Sequence, residues 1–189
     1  MYSSELIQRA TLYTQSLLSN MQPVPLGMAT VENFFHSDLL THTLEFCNTY
    51  DNWQPVTFGD YTVPHRVKIC FEVDTVIEML HETLYNCTPQ MSTLFGKSLN
   101  FNGLDIWKDT AGYYVDKHTD NPEFNVSLQI YIKNLPQLAT VFEYDGQTVM
   151  PNADPNCGYM CDNTVGIPHW MNTAIPNNFT RYSLHATWV

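Results

Sequence analysis

Apolar residues recur at helical spacing through most of the first half of the chain and at every second position through most of the second. Residues 4–19 place Leu6, Ala10, Tyr13 and Leu17 near one face of a helix. Residues 37–49 begin at a capping pair, Ser37-Asp38, and carry Leu40, Leu44 and Cys47 on one side, with Phe34 and Phe35 set to staple the start. Residues 70–86 bring Val73, Val76, Ile77, Leu80 and Leu84 into a broad stripe, the clearest helix of the chain. Between the last two, the Pro-, Gly- and aromatic-rich stretch 51–65 reads as a loop with one short strand at most, and 88–99 reads as a second loop.

From about residue 99 the period falls to two. Residues 125–133 put Val126, Leu128, Ile130 and Ile132 on one face of a strand and Ser127, Gln129, Tyr131 and Lys133 on the other. Residues 139–144 form a strand running into Asp145-Gly146, a strong turn signal. A loop is expected over 147–157, with Pro151 and Pro155, and short strands near 158–162, 167–173 and 179–188. Helices first and antiparallel strands after predict an α+β chain with a mainly β core, helices packed on a sheet or double sheet. A single domain over 1–189 is expected, with helical support over about 1–98 and the β core over about 99–189.

Charge narrows the partners. Eight basic residues stand against 19 acidic ones, a net charge of −11, and the basic residues form no stripe, so a phosphate backbone is repelled and nucleic acid is not the expected partner. The N-terminal segment has an early Glu5 and no apolar run, and no stretch approaches the ~20 apolar residues needed to span a bilayer, so a cytoplasmic protein off the membrane is expected. Cys47, Cys70, Cys87, Cys157 and Cys161 are odd in number and irregular in spacing, which fits reduced thiols and not a zinc site or a disulfide framework. His36, His42, His65 and His81 pair with no Cys, Asp or Glu at ligand spacing and read as structural.

The chemistry lies between residues 112 and 188. His118-x-Asp120 sets an imidazole and a carboxylate two residues apart, hence on the same side of an extended backbone. His169, on a later strand, is placed to supply a third ligand. Two histidines and one carboxylate on one face of an octahedron leave three positions open, a geometry suited to dioxygen activation on Fe(II). Twelve residues further, Arg181, Ser183 and His185 share one face of the last strand. A guanidinium on the inner face of an apolar sheet requires an anionic partner, since an unpaired buried charge costs about 3–5 kcal/mol. Either an Asp or Glu of this acidic chain fills that need, or a carboxylate ligand does, held in a bidentate fork with a hydrogen bond from Ser183 or a tyrosine.

The order H-x-D, distal His, then Arg-x-Ser resembles the 2-oxoglutarate/Fe(II)-dependent oxygenase superfamily. The fuller string His118-Thr-Asp-Asn-Pro122, Ile130-Tyr-Ile-Lys-Asn134, Pro168-His169, Arg181-Tyr182 and Trp188 resembles its prolyl 4-hydroxylase branch. The resemblance covers roughly residues 100–188, and more loosely Asn33-Phe34-Phe35. It implies a double-stranded β-helix (jelly roll) with supporting helices, with His118, Asp120 and His169 as iron ligands. It implies that Arg181 grips the distal carboxylate of 2-oxoglutarate, with Tyr131 and Ser183 as hydrogen-bonding partners. Trp107 falls near a family tyrosine that touches the co-substrate's other end, and Tyr113 or Tyr114 could stand in for it. His185 is expected to line the pocket without binding metal. Where relatives carry a Gly-Gly pair this chain reads Gln137-Leu-Ala-Thr-Val141, which changes the local path of the sheet.

The activity so implied is a hydroxylation that consumes O2 and 2-oxoglutarate, releases succinate and CO2, and allows ascorbate as a reductant. Relatives that halogenate lack the carboxylate; Asp120 keeps it. A prolyl residue of a peptide or protein is the expected substrate, with a free amino acid or other small metabolite as the alternative. A substrate groove would be shaped by 51–66, 88–99 and 145–157. Two readings from other classes make different claims: a non-catalytic jelly-roll binding module, and a cupin-like metalloenzyme with no use for 2-oxoglutarate.

Overall fold

Two strands with opposite faces of opposite character organise the molecule. On β5 (Val126–Lys133) and β10 (Arg181–Trp188), Val126, Leu128, Ile130, Leu184, Ala186 and Trp188 project to one side and are fully buried. That side meets the helices, where Leu39, Met79, Leu80, Leu84 and Met91 close a single apolar cluster over it. The alternate residues, Ser127, Gln129 and Tyr131 on β5 and Arg181, Ser183 and His185 on β10, face the other way. Polar residues on that second face are the material of the site.

The computed structural model describes residues 4–24, 27–69, 75–144 and 146–189. In chain order the remaining elements are α1 (Ser4–Ser19), β1 (Met28–Val31), α2 (Ser37–Thr49), β2 (Gln54–Phe58), β3 (Tyr61–Lys68), α3 (Thr75–Asn86), α4 (Thr88–Phe95), β4 (Phe101–Asp109), β6 (Thr140–Tyr144), β7 (Gln147–Val149), β8 (Gly158–Asp162) and β9 (His169–Met171). An antiparallel seven-stranded sheet runs β1-β8-β5-β10-β4-β3-β2, and a three-stranded sheet runs β7-β6-β9. Together they form the double-stranded β-helix, with α1–α4 on the outer face of the larger sheet.

Register places the inner face residue by residue. Across β10, Arg181 lies opposite Asp109, Ser183 opposite Trp107, and His185 opposite Asp105 on β4. On the other side Ser183 lies opposite Tyr131, His185 opposite Gln129, and Thr187 opposite Ser127 on β5. Where β8 crosses β5, Gly158 is required by close approach: a Cβ there would sit 1.9 Å from the Gln129 carbonyl oxygen.

Several elements differ from the sequence expectation. The stretch 51–65 holds not a loop but most of the β2–β3 hairpin, turning at Gly59-Asp60. Pro55 masked it, and is tolerated because β2 is an edge strand. Residues 88–95 form α4, whose Pro89 starts the helix and whose Gly96 closes it in the left-handed conformation. Residues 147–149 form β7 at the start of the expected loop, and β1 was not foreseen. The N-terminal part thus contributes three strands to the larger sheet as well as helices. Two helix faces are rotated: α1 buries Leu6, Ala10, Thr11, Thr14 and Leu18, with Tyr13 exposed, and α2 buries Leu39, Thr43 and Cys47, with Leu40 and Leu44 at its margin. On α2 the N-cap is His36, whose Nδ1 accepts from the Asp38 N–H. The Val76, Ile77, Leu80 and Leu84 stripe is buried as expected, whereas Cys70, Val73 and Asp145 lie outside the described residues.

Candidate metal centre and anion pocket

His118 and Asp120 lie on the segment joining β4 to β5, and His169 opens β9. Two backbone hydrogen bonds tie the segment to the strand: His118 N–H donates to the His169 carbonyl (3.0 Å) and His169 N–H to the His118 carbonyl (2.8 Å). This isolated antiparallel bridge sets the two imidazoles side by side, with ring centroids 4.3 Å apart. Asp120 reaches them both, its Oδ1 lying 3.6 Å from each Nε2. One ligand atom from each of the three side chains lies within 4.8 Å of the others.

The tautomers are set by the backbone. His118 Nδ1 lies 2.9 Å from the Asp116 carbonyl and His169 Nδ1 lies 3.1 Å from the Ile167 carbonyl. A carbonyl only accepts, so each Nδ1 carries a proton and each neutral ring presents the Nε2 lone pair to the centre. Ser127 Oγ lies 3.3 Å from Asp120 Oδ2 and 3.0 Å from Asn163 Oδ1, so its one proton is shared between the two acceptors beside the carboxylate. Burial works against ionisation of Asp120, but His118 and His169 outweigh it and hold the carboxyl well below its ordinary range. The same contact with Asp120 raises His118. Two imidazole nitrogens and one carboxylate oxygen suit a divalent ion such as Fe(II). The cluster is open on one side, since the His118 side chain is 41% exposed while that of His169 is 6% exposed.

Deeper on the same face lies Arg181, and of the two partners expected for it the structure shows an acidic residue of the chain. Its Nε and Nη2 donate to Asp109 Oδ2 at 2.9 and 2.7 Å, so an Asp of the chain is its partner. That carboxylate is shared: Arg66 of β3 donates through Nε to Oδ1 (2.6 Å) and through Nη2 to Oδ2 (3.0 Å). Burial would raise the Asp109 carboxyl, but the charges of Arg66 and Arg181 overcome it and hold it low. Two guanidiniums against one carboxylate leave one positive charge. Arg181 Nη1 and the Oγ of Ser183, two residues on along β10, are both buried and without a hydrogen-bond partner. A donor set left open in this way fits an added carboxylate.

Tyr131 is wholly buried beside Ser183, its hydroxyl 2.9 Å from Thr140 Oγ1 on β6 and accepting the Thr140 N–H. Trp107 lines the wall in a stack: His185 lies against one part of its indole (centroids 4.5 Å apart) and the Arg66 guanidinium caps it at 4.0 Å. Of the alternatives to Trp107, Tyr113 is buried beneath Arg66 and Tyr114 is 44% exposed. Burial lowers His185 to about 4, so the imidazole is neutral. Cys47, Cys87, Cys157 and Cys161 are buried free thiols, and burial pushes Cys47, Cys87 and Cys161 up to about 12, far from nucleophilic use. Sequence reasoning missed Asp109 and Arg66. Arg66 lay in what read as the end of a loop, and Asp109 resembled any other acidic residue of an acidic chain.

No protein-family model and no curated protein matches the chain. Solved structures do match. A prolyl hydroxylase from Trichoplax adhaerens, solved with a hypoxia inducible factor peptide fragment, superposes with a TM-score of 0.70 at 12% identity, covering 100% of this chain and 94% of that one. A Pseudomonas putida prolyl-4-hydroxylase gives 0.66 at 13% identity, covering 93% and 97%. HygX from Streptomyces hygroscopicus, solved with nickel, 2-oxoglutarate and hygromycin B, gives 0.65 at 9% identity, covering 99% and 87%. The chain therefore has the double-stranded β-helix fold of these proteins along nearly its whole length.

Proposed function

We propose that the protein is an Fe(II)- and 2-oxoglutarate-dependent hydroxylase, with His118, Asp120 and His169 holding the metal and Arg181 with Ser183 holding the far carboxylate of the co-substrate. One observation carries the reading: β9 presents both ends of the site. His169 belongs to the metal cluster, and Met171, two residues on, has its sulfur 3.5 Å from Arg181 Nη2. Two residues of strand span roughly 7 Å, comparable to an extended five-carbon diacid. The residue of β9 that belongs to the metal cluster and the one that touches the guanidinium are thus roughly one co-substrate length apart along the strand, which supports a diacid bridging the two. A cupin-like centre without 2-oxoglutarate would give the open donors of Arg181 and Ser183 no purpose.

Bound Fe(II), with 2-oxoglutarate and O2, supplies the oxidising power for hydroxylation. The residues of the chain hold and orient. The carbonyls of Asp116 and Ile167 keep both histidines in the metal-binding tautomer. Arg181 and Ser183 fix the diacid at its distal end, with Tyr131 walling the pocket beside them. Buried Val126, Leu128 and Ile130 on the opposite face keep the sheet rigid beneath. The exposed His118 edge is where substrate arrives.

For substrate we propose a prolyl residue in a peptide or protein. The loop that bears His118 and Asp120 also carries Tyr114 and Phe124, exposed at 44% and 37%, aromatic surface of the kind that docks proline-rich segments. Two prolyl hydroxylases are among the structures of similar fold. The net charge of −11 disfavours a nucleic acid. No described helix is long and apolar enough to cross a membrane.

The test has two stages. Fe(II) and 2-oxoglutarate added without oxygen should produce the weak visible charge-transfer band of the chelate, abolished in Arg181→Met. Succinate release should then rise with proline-containing peptides, and the product should gain one oxygen by mass. No band with the wild-type protein refutes the enzyme reading; a band with turnover only on free amino acids refutes the peptide substrate.

A further inference from the structure

Arg66 stands outside every role given so far. It comes from β3, a strand of the N-terminal part, and its guanidinium lies between two aromatic faces, 4.0 Å over Trp107 and 4.1 Å over Tyr113. Only 11% of the side chain is exposed, and two of its donors are spent on Asp109. Without Arg66, the Arg181–Asp109 pair would be neutral. A neutral pair offers an incoming carboxylate a hydrogen bond but little net attraction, and Asp109 would repel it. Tyr131, Tyr113 and the Met171 thioether also lie against Arg181, and none of them is a carboxylate.

We propose that Arg66 is a specificity-determining residue: by neutralising Asp109 it leaves the pocket with one net positive charge, so that the site selects 2-oxo acids bearing a second carboxylate. Arg181 supplies the contact, Asp109 aims it by occupying Nε and Nη2, and Arg66 supplies the charge. The stacking on Trp107 and Tyr113 serves this by fixing the guanidinium while replacing part of its hydration. This inference rests on the 2-oxoglutarate reading above.

The experiment compares two ligands. Dissociation constants for 2-oxoglutarate and for 2-oxopentanoate, which has the same five carbons and lacks the distal carboxylate, are measured anaerobically on the Fe(II)-loaded protein from the visible band. The variants are Arg66→Gln and Arg66→Lys. Removing a unit charge within ~10 Å of the carboxylate, at an effective dielectric of ~20, should weaken 2-oxoglutarate by about ten- to thirty-fold in Arg66→Gln. Binding of 2-oxopentanoate should stay at the wild-type value, and Arg66→Lys should keep most of the preference for the diacid. Equal weakening of both acids, or no weakening of either, overturns the proposal. If the Gln variant does not fold, Arg66→Lys decides: retained discrimination upholds the charge role, and lost discrimination overturns it. A wild-type protein that binds neither acid refutes the broader enzyme reading instead, so the two failures are distinguishable.

Discussion

Asp109→Asn is the sharpest test of the buried charge cluster. The wild-type carboxylate has no solvent exposure and accepts four hydrogen bonds, at 2.6 and 3.0 Å from Arg66 and 2.9 and 2.7 Å from Arg181. Asparagine has nearly the same shape, but one of its two polar atoms donates, and would face guanidinium donors. The substitution also leaves two buried cations with no anion between them. Breaking a buried pair in this way costs about 3–5 kcal/mol. For a chain of this size that corresponds to a fall in melting temperature of roughly 10 °C. Urea unfolding of the metal-free wild type and variant, repeated from pH 8 down to pH 3, is the assay. The folded-state Asp109 pKa is depressed, so its contribution is complete above the unfolded carboxyl value of about 4 and is lost as pH falls through the lower folded value. The gap between the two proteins should therefore be flat between about pH 5 and 8 and close only below about pH 4. A gap under about 1 kcal/mol at pH 7, the size of a surface pair, would refute the argument, as would one that closes before the carboxyl range is reached.

Three further outcomes follow from other parts of the molecule. Gly158→Ala should destabilise by about 1–3 kcal/mol or more in the same unfolding assay, because its Cβ meets backbone, the Gln129 carbonyl, and not a movable side chain; wild-type stability would contradict the packing of β8 on β5. His185 titrates near 4 when folded and near 6.5 when unfolded, so stability should fall as pH drops from about 6.5 to about 4, by up to ~1.4 kcal/mol per pH unit. His185→Gln should flatten that slope in the metal-free protein, and equal slopes would refute the assignment. Asp120→Ala should reduce anaerobic Fe(II) affinity, read by calorimetric titration, by more than about a hundredfold, and Ser127→Ala by about tenfold through loss of the hydroxyl beside Asp120 Oδ2; an Asp120 variant that binds iron like wild type would remove this carboxylate from the metal site.

The sequence by itself determined what alternation can encode. Strand period two separates Leu128 and Ile130 from Gln129 and Tyr131, and Leu184 from Ser183 and His185, whatever the strands pair with, because successive side chains must take opposite faces. Hence β5, β8 and β10, and the shared face of Arg181, Ser183 and His185, were legible before any contact was known, whereas β1, β2, β3 and β4 were not. Nor was local chemistry that depends on neighbours. The stretches 51–65 and 88–99 read as loops, but Pro55 lies on a sheet edge and Pro89 at a helix start. The exact faces of α1 and α2 shifted by a residue or so, since a helix turns its buried side toward whatever packs there, and threonines such as Thr14 and Thr43 bury as readily as leucine once their hydroxyls reach a backbone carbonyl. Only tertiary structure could join Asp109 to both Arg66 and Arg181 across 43 and 72 residues of chain. Whether a buried arginine is already neutralised is a question of total charge in one small volume, and no linear pattern carries that sum.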